Sequence, residues 1–208
     1  MRPKKPYTPP QDQGSIDRRA RFKFSAKLAQ SINLVPELRE VWTPVTPSGM
    51  TAFNYMVQKL AASVTPDSLT DLTLITPGTG FAIDSAVQTI SIPATPGEPT
   101  VVTLAVLGNG TGIDTADEPN AKLAYVIVLG KPANGNLADF WLIGSITASQ
   151  PVALDQPMTF DIPIVGSNAV SVRSYTDRKI LFVLVTLDSQ NNPVKYSGTL
   201  QRTLVPSD

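Results

Sequence analysis

Ile180-Leu181-Phe182-Val183-Leu184-Val185-Thr186-Leu187 is apolar at seven of eight positions and carries no charge. A strand with one wet face alternates apolar and polar side chains, whereas a strand covered on both faces does not. This run, and Leu123 to Leu129, therefore read as central strands with cover on both sides. The segment Met158-Thr-Phe-Asp-Ile-Pro-Ile164 has the other signature, with Met158, Phe160, Ile162 and Ile164 alternating with Thr159, Asp161 and Pro163. Tyr196, Leu200 and Leu204 alternate with polar neighbours in the same way, which predicts one interrupted strand over 194–204. Pro163 and Gly198 place these two strands near sheet edges.

Working outward, further strands are predicted at 86–92, 100–107 and 139–147, with 69–75 as an extra candidate. Turn signals separate them at Gly108-Asn-Gly-Thr-Gly, Lys131-Pro-Ala-Asn-Gly-Asn, Ala153-Leu-Asp-Gln-Pro and Asp188-Ser-Gln-Asn-Asn-Pro. About seven strands at near-regular spacing, with no helix between them, predict a mainly β fold: a C-terminal antiparallel Ig-like β-sandwich over 66–208. The Cys…Trp…Cys signature of immunoglobulin domains is absent, so "Ig-like" describes architecture only.

Ahead of the sandwich the periodicity changes. Residues 1–15 hold four prolines and little to bury, predicting an extended basic arm. Residues 16–65 read as two to three short helices. Ala20, Phe24, Leu28 and Ile32 form a stripe at spacing four, with Ser15 or Asp17 as cap. Pro36 opens a short second helix with Leu38, Val41 and Trp42 available for packing. Phe53, Met56, Val57, Leu60 and Ala61 mark a third over about 50–62.

Charge is segregated along the chain. Residues 1–27 hold eight Lys and Arg against two Asp, a formal +6, and the remainder carries −6. Arg2, Lys4 and Lys5 lie on the arm beside Tyr7, while Arg18, Arg19, Arg21, Lys23 and Lys27 lie on the first helix, mostly off its apolar stripe. Such a helix has three available partners: nucleic acid phosphates, an anionic membrane, or the acidic surface of another subunit. The equal and opposite charge on the same chain favours the third over nucleic acid. A charged fraction of 16% is low and fits a surface partly covered by partners. The predicted partners are thus other copies of the chain and other assembly proteins.

There is no Cys and no His, which removes disulfides, thiolate and Ser-His-Asp catalysis, and zinc sites built on those ligands. Gly130-Lys131-Pro132 lacks a phosphate loop around it and reads as a turn, and Asp155 and Asp161 sit beside or on the solvent side of a strand rather than as an apposed acid pair. The expectation is a non-enzymatic protein without a cofactor. The one metal candidate is Asp114, Asp117 and Glu118, hard oxygen ligands for Ca²⁺ in a Gly-rich loop; their spacing departs from the EF-hand, and Asp in an inter-strand turn explains them more simply. Trp141, beside Phe140, is the candidate for stacking on a ligand ring, with core or subunit packing as the competing reading. No apolar run reaches membrane-span length, and the opening lacks the apolar stretch of a secretory signal, which predicts a virion or cytoplasmic location.

Lys5-Pro6-Tyr7-Thr8-Pro9-Pro10-Gln11 and Arg19-Ala20-Arg21-Phe22 resemble the opening of a family of small uncharacterised bacterial proteins, also met among phage-encoded genes. The resemblance covers about the first sixty residues and implies short helices followed by a β-sandwich tail. It implies no activity. Taken together, these features predict a structural subunit, of a virion capsid, decoration or tail or of another repeating assembly, whose arm contacts its neighbours. A surface-exposed carbohydrate- or protein-binding Ig-like module is the alternative.

Overall fold

The computed structural model describes residues 9–78, 80–93, 98–108 and 112–206. Helix α1 (Gln13–Asn33), helix α2 (Pro36–Trp42), a single 3₁₀ turn (Thr43–Val45) and helix α3 (Ala52–Ala61) precede the strands. Strands β1 (Ile83–Ser91), β2 (Thr100–Gly108), β3 (Asn120–Pro132), β4 (Phe140–Ile146), β5 (Gln150–Pro151) and β6 (Met158–Ile164) follow. Helix α4 (Gly166–Ser174) then leads into β7 (Tyr175–Leu187), β8 (Pro193–Tyr196), β9 (Leu200–Thr203) and β10 (Val205–Pro206).

Two sheets result. One has the order β10-β1-β2-β6; the other has β4-β3-β7-β8, with β5 on β3 and β9 on β7. The first two long strands, β6 and the short β10 share one sheet, while β3, β4, β5, β7, β8 and β9 share the other. That partition is the Ig-like Greek key, with β3 and β7 as the central pair. All pairings between the long strands are antiparallel; the two-residue β10 joins β1 in parallel.

The fully apolar runs behave as their composition demands, and two different layers cover them. Leu123, Tyr125, Ile127, Leu129, Ile180, Phe182 and Leu184 face the four-stranded sheet, packing against Val102, Leu104, Phe160 and Ile162. Their neighbours Ala124, Val126, Val128, Leu181, Val183 and Val185 face Phe24, Leu28, Ile32, Leu38, Trp42, Met56 and Leu60 of the helices. The molecule is a three-layer stack of helices, six-stranded sheet and four-stranded sheet. The change near residue 65 is a change of element type, across which one core runs.

Several local expectations need correction. Helix α1 begins earlier than predicted: Asp12, not Ser15 or Asp17, is its cap, and its carboxylate accepts the Ser15 N–H at 2.9 Å. The arm is correspondingly shorter than 1–15. A helix, α4, does lie between strands. It escaped periodicity because it buries only Val172. Segment 69–75 forms no strand; the Thr70 and Thr73 hydroxyls both donate to Ser63 O, and such side-chain bonds compete with a ladder. The predicted strand over 194–204 is two short ones, β8 and β9, both paired with β7 and broken where Ser197 Oγ accepts the Leu184 N–H at 2.8 Å. Gly130-Lys131-Pro132 is no turn but the end of β3, with Lys131 at φ 54°.

The helical layer closes tightly on the edge strand β4. A Cβ at Gly144 would lie 2.6 Å from Ser31 O, so only glycine lets α1 approach there. Phe24 meets Phe140 edge to face at 4.7 Å between centroids, fixing the same contact about two turns earlier.

Candidate functional site

Three surfaces compete for a functional role: the first half of α1, the groove at Trp141, and a cleft beside Tyr196. The α1 surface comes directly from its sequence. From Phe24 onward the apolar stripe is buried, but between Gln13 and Lys23 only Ser15 is. Ala20, the first member of the predicted stripe, is only half-buried. Arg18, Arg19, Arg21, Lys23 and Lys27 are all exposed. Phe22 is 62% exposed and Ile16 38%.

Local bonds hold this half in place. Arg18 donates to Ser15 Oγ at 2.8 Å and Arg19 to Pro10 O at 2.7 Å, folding the end of the arm back along the helix. Lys23 pairs with Asp139 at 3.0 Å across a largely exposed gap and lies 5.7 Å from the Phe140 ring centre. Among the described residues no acid stands within ion-pair range of Arg18, Arg19, Arg21 or Lys27. Arg18/Arg21, Arg19/Lys23 and Lys23/Lys27 are like-charge neighbours at helical spacing, each costing a few tenths of a kcal/mol. The remaining predicted contact residues, Arg2, Lys4, Lys5 and Tyr7, lie outside the described residues.

Phe140 and Trp141 divide as neighbours on a strand must. Phe140 is buried under α1, and Trp141 stays 39% exposed with its indole N–H donated to Asn168 Oδ1 of α4 at 3.1 Å. A groove of about 380 Å³ runs beside it, between α1 and β4, lined by Lys23, Lys27, Gln30, Leu34, Asp139 and Trp141.

Glu118 does not join Asp114 and Asp117 in a loop cluster. It is 1% exposed, its carboxylate accepting from Lys195 Nζ at 2.6 Å, from the Thr186 hydroxyl and from the Asp114 N–H. Burial alone would raise its pKa, but these three donors together hold it below the usual value. Asp114 instead accepts the Ala116 N–H within its own turn. Glu118 thus locks the loop before β3 onto β7 and β8. Among the described residues no group of three acids is arranged to hold a metal ion.

The cleft beside Tyr196, about 600 Å³, was invisible in the sequence because Glu40, Val45, Pro77, Phe81 and Tyr196 meet only through the fold. Burial, then the carboxylates of Glu40 and Glu37, push the Tyr196 phenol up to about 12. Glu37 accepts Lys122 Nζ at 2.8 Å with both groups mostly buried, tying α2 to β3. Lys195, on the rim, is engaged by Glu118 and Gly112 O. No helix among the described residues is long and apolar enough to cross a membrane.

Scanned against known protein families and against curated proteins, the chain matches none. Among solved structures it is similar to the fibronectin type-III domain of human fibronectin type III domain containing protein 3, at 11% identity and a TM-score of 0.22, covering 62% of this chain and 94% of that one. It is also similar to DUF3823 family proteins from Bacteroides ovatus (13% identity, TM-score 0.24, 59% of this chain and 54% of that one) and Parabacteroides merdae (13%, 0.23, 60% and 51%). The chain thus spans about half the length of the two DUF3823 structures. At these TM-scores the likenesses carry no argument, and the Ig-like assignment rests on strand order.

Proposed function

We propose that the protein is a non-enzymatic structural subunit that associates with copies of itself in a repeating assembly, a virion component being one instance. The observation that carries this reading is the exposed, cationic first half of α1. That half leaves Ile16 and Phe22 in water, and its like-charge neighbours weaken it. An anionic partner surface relieves both defects at once, and the rest of the chain, at −6, supplies one. The same bases would attract nucleic acid, but phosphate binding gives no role to Phe22 and Ile16. The absence of His and Cys and the engagement of Lys195 and Glu118 with each other also favour a structural role over catalysis.

Light scattering on the full chain across a salt series tests the reading. Association at low salt that dissolves as salt rises, and that weakens when residues 2–15 are deleted, is expected. A chain that stays monomeric throughout, and is indifferent to the deletion, sinks the idea.

The groove at Trp141 supports a second reading, a carbohydrate-binding module, because an anchored indole beside Gln30 and Asp139 offers a stacking face with amide and carboxylate partners for hydroxyls. A glycan-array signal abolished by Trp141→Ala would favour it over assembly.

A further inference from the structure

We infer that the surface receiving the cationic half of α1 is the outward face of the four-stranded sheet of a second copy, so that copies join head to tail. The inference rests on the self-association reading above and adds which face is used and in what direction the assembly grows.

The first support is a gap in the sequence. No Lys or Arg occurs between Lys59 and Lys122, nor between Lys131 and Arg173, while acids recur in both stretches. Those stretches supply all of β1, β2 and β6, so the three long strands of this sheet hold Asp84 and Asp161 and no cation. Glu98 and Asp155 flank them in the loops.

The register then shows which residues look outward. Val102, Leu104, Val106, Phe160 and Ile162 point into the core, so their alternates point away. Thr103 pairs with Asp161, Ala105 with Thr159, Val101 with Pro163, and Asp84 with Leu107. The face is short-chained and mildly apolar, with Leu107 37% exposed. Asp161 is held upright by the Thr103 hydroxyl at 2.6 Å. Arg202, from β9, pairs with a mostly exposed Asp84 at 3.3 Å.

One further feature selects the face over the edge. The edge strand β6 carries Pro163, which removes a ladder donor and opposes strand addition. The face therefore offers side chains, not backbone, to a partner. Phe22 and Ile16 would lie on Val101 and Leu107 while Arg18 and Arg19 meet Asp84 and Asp161.

The direction follows from the layers. Helices and four-stranded sheet lie on opposite sides of the six-stranded sheet. A contact between them is heterologous and does not close as a two-fold dimer; it continues into a ring or filament.

Charge exchange tests the pairing on the full chain. One variant carries Arg18→Glu, Arg19→Glu and Arg21→Glu; the other carries Asp84→Lys and Asp161→Lys. Each alone sets like charge against like, and low-salt association measured by sedimentation should fall at least about tenfold. Mixed in equal amounts, each helix meets a sheet of opposite sign, and association should return to near the wild-type level. If the sheet variant alone associates like wild type while the helix variant does not, the helix uses another surface: this inference falls and self-association stands. If wild type itself is monomeric at low salt, both fall. Because the chain lacks Cys, a second measurement is independent of the charge variants' folding. A mixture of Phe22→Cys and Leu107→Cys copies should form a mixed disulfide dimer in excess over a mixture in which Leu34→Cys replaces Phe22→Cys; equal yields overturn the inference.

Discussion

The two halves of helix α1 are continuous in backbone and opposite in circumstance. From Phe24 to Ile32 the helix buries Phe24, Leu28, Ala29 and Ile32 completely and presses its backbone against Gly144. From Gln13 to Lys23 it buries one serine and displays four bases, Ile16 and Phe22. Helix formation is costly to start and cheap to extend, so the packed half nucleates the exposed half, and Asp12 and the Gln13–Asp17 hydrogen bond (2.7 Å) terminate it. The difference teaches that one helix can be scaffold at one end and presented surface at the other. Core packing belongs to the second half, and the exposed bases and apolar side chains to the first.

The largest expected effect lies on the packed side. Phe24→Ala removes a fully buried ring and its edge contact with Phe140, and should cost about 3–5 kcal/mol in denaturant unfolding. A loss below about 1 kcal/mol would mean that the helical layer is not part of the cooperative core. Gly144→Val should cost about 1–3 kcal/mol, because the new Cβ meets backbone at Ser31 O rather than a movable side-chain tip. An unchanged midpoint for this variant would show that α1 can lift away from β4 freely.

The contrast extends to charge. The bases of the first half mostly lack acid partners, whereas the body seats Lys195 on a buried Glu118. Glu118→Gln leaves partners of a buried site poorly matched and should destabilise by about 1–3 kcal/mol at neutral pH. Because the folded Glu118 carboxyl lies below its unfolded value, near 4.3, its contribution is present above that value and lost as pH falls through the folded one. Acid unfolding of the Gln variant should accordingly show a shallower pH dependence than wild type. Tyr196 has the opposite sign: its phenol, raised to about 12, contributes stability below the unfolded value near 10 and loses it as pH climbs through 12.

Legibility followed how much local pattern each element carries. The uncharged runs of β3 and β7 announced two-sided burial, and the alternation of β6 is met residue for residue by its burial. What covers the second face of β7 was not readable, because a stripe on a helix does not say which sheet it will meet. Helix α4, with one buried residue, and the two-residue strands β5 and β10, held by their partners, left no periodic trace. The basic residues of α1 were legible as a group. That Arg21 shares the apolar side of the helix yet is exposed follows from the body ending at Phe24, a tertiary fact. Trp141 was identifiable as a strand aromatic, but the choice between it and Phe140 for the core depended on register alone.

The smallest effect on folding is the most discriminating. Phe22 is two residues from Phe24 and chemically identical to it, but 62% exposed. Phe22→Ser removes no core contact, and serine is only modestly poorer in a helix, so the unfolding midpoint of dilute protein should move by less than about 0.5 kcal/mol. Low-salt association should weaken clearly in the same variant, since a large apolar side chain beside three arginines is the kind of residue that dominates a contact. A stability loss approaching that of Phe24→Ala would place Phe22 in the core and erase the division between the halves. Unchanged stability with unchanged association would leave the exposed half without a partner, and only the packed half would have a role.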